Sequence, residues 1–175
     1  MTVSMLTPLF PPDTSDSAAY AKLLAAQLSE LPLTVVAYGR LPESVPSVPI
    51  VSVDKSGSKL LTVLRCLLAL QRLRPTTLLV HNGPSADVPA LLYKLTHPRV
   101  RVIYIESDKQ ALVNKSYWLQ QQLQNRSQAV VSLPEHSWAY LPAEVLPFAA
   151  PDLNATQAQA TWWREHVSMI TSYVH

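Results

Sequence analysis

Polar and ionisable side chains recur where short β-branched runs of this chain stop. Asp13 and Ser15 follow the first run, His81 and Asn82 the fourth, Glu106, Ser107 and Asp108 the fifth, and Ser132 and Glu135 the sixth. In an open parallel sheet ligands bind beyond the carboxyl ends of the strands, so these residues are expected to make the polar floor of a ligand cleft. His81, Glu106 and Asp108 are the candidates for chemistry. An imidazole titrates near neutrality, and Glu106 with Asp108 could act as a general base and its orienting acid for an acceptor hydroxyl. Plainer roles compete at each position: a strand-end histidine bonded to a neighbouring loop, and acids that cap the next helix.

Other chemistries lack their residues. A metal site would need His81, Glu106, Asp108 and His136 to converge, and no paired-ligand motif imposes that, so no metal is expected. With three glycines in the chain, Gly39, Gly57 and Gly83, neither a dinucleotide fingerprint nor a phosphate-cradling P-loop can be written, and no cofactor is expected. The Gly-x-Ser-x-Gly elbow of serine hydrolases is missing. Cys66, the single cysteine, lies in an apolar helical stretch, which fits a reducing cytoplasm and excludes an internal disulfide.

Charge and hydropathy narrow the partners. The 14 basic and 12 acidic residues are scattered, leaving a formal charge of +2 and no run that would mark a nucleic-acid surface. Residues 1–6 read as a strand, not as a secretory signal. The greasiest stretch, residues 60–73, is too short for a bilayer and carries Arg65 and Arg72, so no membrane span is expected. The Asn-x-Ser/Thr triplets at Asn114, Asn125 and Asn154 are then chance matches, and the expected location is cytoplasmic.

The elements that would position these residues alternate along the chain. Strands are expected over residues 2–6, 33–38, 49–53, 76–80, 100–105 and 129–133, and helices over 17–31, 56–74, 86–96 and 109–125. A short helix over 134–141, a brief strand over 144–148, a linker over 151–156 and an amphipathic helix over 157–173 complete the order. A chain of 175 residues that is 48% hydrophobic can bury one core. The predicted fold is a three-layer α/β Rossmann-like domain over 1–156 with a mostly parallel sheet, onto which the helix of 157–175 packs back. Trp162, Val167, Ile170 and Tyr173 are expected to form that helix's docking stripe, and one of the adjacent Trp162 and Trp163 should be core.

Four segments carry a resemblance. They are Phe10-Pro11-Pro12 before the first helix, Val80-His81-Asn82 after the fourth strand, residues 127–141, and Val145-Leu-Pro-Phe-Ala-Ala-Pro-Asp152. In this order they resemble the N-terminal Rossmann-like half of GT-B glycosyltransferases, in particular the large retaining family 4, and Thr161-Trp-Trp-Arg-Glu-His-Val167 is similar to the helix with which such enzymes cross back to their first domain. The resemblance implies the acceptor-side half of a glycosyltransferase, taking a sugar or glycolipid acceptor and completed by a separate donor-binding subunit or by a homo-oligomer. It also implies inactivity of this chain alone. Two departures bear on catalysis: Asp13-Thr-Ser-Asp-Ser17 stands where the family has a glycine pair, and Glu106 where it often has a histidine. The alternative is a non-catalytic binding or scaffold domain derived from the same fold.

Overall fold

The computed structural model describes residues 1–39, 41–81, 83–106, 117–132 and 153–174. Six strands, β1 (Val3–Thr7), β2 (Leu33–Tyr38), β3 (Ile50–Val53), β4 (Thr77–His81), β5 (Arg101–Glu106) and β6 (Ala129–Ser132), pair in parallel in the order β3-β2-β1-β4-β5-β6. The chain is thus an α/β protein of the Rossmann-like kind. Central β1 and β4 are buried along their whole length, as a sheet covered on both faces requires. Successive side chains alternate between two cores. Met5, Val35, Leu79 and Ile103 meet α1 (Asp16–Gln27) and α5 (Leu153–Val174) on one face. Leu6, Val36, Val80 and Tyr104 meet α2 (Lys59–Leu73), α3 (Pro84–Thr96) and α4 (Tyr117–Gln124) on the other.

Local chemistry sets the helix ends. Ser15 caps α1, its hydroxyl accepting from the Ala18 amide at 3.3 Å, and Ser58 caps α2 through the Leu61 amide at 3.2 Å. α2 closes on Arg74 in the left-handed conformation, followed by Pro75. α3 starts two residues earlier than the sequence predicts because Pro84 suits the first helical position, where a missing N–H costs nothing. It also contains Pro89, which cannot donate to the carbonyl four residues back, that of Ser85. The Tyr38 hydroxyl supplies that bond instead, donating to the Ser85 oxygen at 2.6 Å. A side chain from the end of β2 thereby replaces a helical hydrogen bond, tying α3 to the sheet.

The C-terminal helix also departs from expectation. α5 begins at Leu153, so the residues after 152 read as a linker are helical. Among its described side chains, Trp163, His166, Ile170 and Val174 are buried and Trp162 and Val167 half-buried, whereas Tyr173 is exposed. The docking stripe is therefore rotated from the predicted one, because the Tyr20 ring of α1 receives Trp163 and His166 in place of Trp162. The helix predicted over 134–141, the strand over 144–148 and the start of the helix over 109–125 lie outside the described residues.

Candidate functional site

The strand order reverses between β1 and β4, which makes their carboxyl ends the topological switch point where ligands of such sheets bind. Thr7 ends β1 and His81 ends β4, and both are buried. The Thr7 hydroxyl gives its hydrogen to the Leu9 carbonyl at 2.6 Å and lies 3.0 Å from Nδ1 of His81. Having spent its one hydrogen, Thr7 can only accept from the imidazole, which assigns the proton to Nδ1. Burial holds His81 down at about pKa 4, so the ring is neutral at physiological pH.

Beyond the two strand ends the chain packs on itself. Gly83, at φ +150°, sits so close to Pro8 that a Cβ there would lie 2.8 Å from the proline Cγ. Phe10 and Pro11 are buried as well. A phosphate cradle needs free backbone N–H groups at this loop, and Pro8, Pro11 and Pro12 have none. His81 faces inward, its ring 5.5 Å from that of Tyr20. Tyr20 in turn bonds His166 of α5 at 2.6 Å and stacks on Trp163. The histidine at the switch point is thereby linked to the C-terminal helix through one tyrosine.

The other candidate residues divide. Asp13 is exposed, and its carboxylate accepts from the Ser15 amide at 2.9 Å, while Ser15 caps α1. The bonds to Ser15 hold the Asp13 carboxyl below its ordinary value. Glu106 ends β5 half-buried, accepting from the Gln120 amide of α4 at 3.1 Å, and Ser132 is its register partner on β6. Asn82, Ser107, Asp108 and Glu135 lie outside the described residues. Among the described residues no three His, Cys, Asp or Glu side chains come together as metal ligands.

Two features of this edge were not singled out from the sequence. One is a recess of about 380 Å³ between the starts of α2 and α3, lined by Tyr38, Lys55, Lys59, Thr62 and Ser85 among others. Among the described residues no carboxylate lines it, and the ammonium groups of Lys55 and Lys59 make it suited to an anionic or polyhydroxyl ligand. The other is Asp87, buried in α3, which accepts from the Tyr104 hydroxyl at 3.2 Å and the Gly83 amide at 3.4 Å. Desolvation raises its carboxyl to about pKa 7 despite those bonds. The flanking Lys55-Ser-Gly-Ser-Lys59 pattern was the sequence signal for the recess, but its second wall, Ser85 and Val88, comes from the first turns of α3.

No known family model and no curated protein matches the chain. Solved structures do. A protein from Listeria monocytogenes assigned as a UDP-N-acetylglucosamine 2-epimerase superposes with a TM-score of 0.54 at 14% identity, over 75% of this chain and 39% of its own. The Rickettsia bellii UDP-N-acetylglucosamine 2-epimerase gives 0.52 at 13% identity, over 83% and 43%. A further UDP-N-acetylglucosamine 2-epimerase gives 0.51 at 14%, over 86% and 46%. At these identities the likeness establishes the Rossmann-like fold, and the chain spans less than half the length of each structure.

Proposed function

We propose that this chain is the acceptor-side half of a GT-B-like sugar-processing enzyme whose donor-binding half is carried by another chain. The observation that carries the reading is the coincidence of two facts. The chain superposes on sugar-nucleotide enzymes, and at its switch point Pro8 packs against Gly83 in a loop where Pro8, Pro11 and Pro12 offer no amide to a phosphate. A donor diphosphate then has to be held elsewhere, by a second domain facing the carboxyl edge. This half contributes the recess lined by Lys55, Lys59, Thr62 and Ser85, with Glu106 and Ser132 further along the same edge. A sugar or glycolipid acceptor fits the recess through its hydroxyl and anionic groups. Glu106, with Asp108 two residues on, is the base we assign to the acceptor hydroxyl. Cytoplasmic residence accords with the free, buried Cys66.

Incubation of a UDP-sugar with the purified chain, with a candidate donor domain, and with both together tests this. Transfer or turnover should occur in the mixture alone, and Lys59→Ala should raise KM for the acceptor. Turnover by the isolated chain would refute the partner requirement. Inactivity of every mixture would favour a scaffold domain, the reading that the packed Pro8–Gly83 contact also suits.

A further inference from the structure

We infer that the outer surface of the α2–α3–α4 layer docks on an anionic lipid surface. In a soluble domain the outward side of a helix is normally polar, and contiguous apolar exposure marks a contact site. Here α2 turns Leu60, Leu64 and Leu68 outward along three successive turns, with Leu60 78% and Leu64 50% exposed. α2 packs against α3, which exposes Leu92 and Leu95, and α3 packs against α4, which exposes Trp118 at 63%.

Among the described residues the exposed charges on these three helices are basic. α2 carries Lys59, Arg65 and Arg72 and no acid, and Arg74 follows its last turn. α3 adds Lys94, and its one carboxylate, Asp87, is buried. α4 has no charged residue. Asp54, in the connection into α2, lines a groove with Arg65 and Arg72 at the margin of this layer, and its carboxylate accepts from the Ser56 amide. The opposite layer differs: α1 and α5 carry both signs, and the Lys22–Glu43 ion pair lies there.

That asymmetry selects the occupant. A two-fold contact between copies would set this cationic surface against itself, since an isologous interface presents the same patch twice. Like charges would then face each other, with Asp54 at the margin as the one described carboxylate beside them. An anionic bilayer supplies the missing charge and takes the leucines and the tryptophan at its headgroup boundary, the mode of interfacial amphipathic helices. Among the described residues no helix is long and apolar enough to cross a membrane, so the contact is peripheral. The inference does not depend on the sugar-processing reading.

The test is co-sedimentation of the full chain with vesicles of phosphatidylcholine alone and of phosphatidylcholine with phosphatidylglycerol. Binding should require the anionic lipid and weaken as salt is raised. Leu60→Ser with Leu64→Ser should weaken it at least about ten-fold. Arg72→Gln and Arg74→Gln should each weaken it about five-fold. All four side chains are exposed, so an unchanged melting temperature certifies that the variants fold. Absence of binding to anionic vesicles would overturn the inference, as would equal binding to neutral ones. So would a wild-type dimer in solution that the leucine substitutions dissociate.

Discussion

Acidification from pH 7 to pH 5 should act on stability through three buried groups, two of which oppose the third. His81 and His166 are held in the fold at about pKa 4, by desolvation, against an ordinary 6.5. Their depressed values mean that the unfolded chain binds protons first, so stability is lost as pH falls from 6.5 toward 4. Each then costs about 2 kcal/mol between pH 7 and pH 5, about 4 together. Asp87 runs the other way. Its carboxyl rises from 3.8 to about 7 in the fold, so the folded chain holds the proton more tightly and stability grows as pH falls through 7 toward 3.8. Between pH 7 and pH 5 that returns about 2 kcal/mol. From these three groups the wild-type chain should therefore lose only about 2 kcal/mol, whereas Asp87→Asn, which keeps an oxygen for Tyr104 and Gly83, should lose about 4, a large share of the roughly 5–15 kcal/mol that holds a domain together. Urea unfolding at the two pH values measures both. Adding His166→Gln to Asp87→Asn should halve the loss. Equal pH dependence of the wild type and Asp87→Asn would refute the assignment of these groups.

The switch point and the C-terminal helix give three more expectations. Gly83→Ala places a methyl against Pro8 at a backbone angle that side chains rarely adopt, and should cost about 1–3 kcal/mol, read as a lowered urea midpoint. Thr7→Val removes the hydroxyl that bonds Nδ1 of buried His81 and should cost about 1–3 kcal/mol, with the histidine resonance shifted in NMR spectra. Removing residues 153–175 strips Trp163, Ile170 and Val174 from the core, at about 1.5–3 kcal/mol for each large apolar side chain, and should lower the melting temperature sharply. An unchanged melting temperature would mean that α5 does not hold the domain.

The order of elements was legible in the sequence because a doubly covered parallel sheet writes itself as short apolar runs between helical periods. Leu78-Leu-Val80 and Val102-Ile-Tyr-Ile105 are apolar on both faces because both faces are covered. Strand ends were legible to within a residue, and His81 and Glu106 end β4 and β5. What the sequence could not give was which of these ends is covered. His81 is buried against Tyr20, a ring from another element, and Tyr20 is itself held by His166 and Trp163 from the far end of the chain. The docking face of α5 had the same cause: Trp162 and Trp163 are equally apolar, and only the Tyr20 ring decides which is core. The lysine recess needs the start of α2 and the start of α3 at once, and the hydrogen bond that Pro89 withholds is supplied by Tyr38 from a strand remote in sequence. Local pattern sets where a side chain stands along its own element, and the packing of elements remote in sequence decides whether it meets solvent, a ligand or the core.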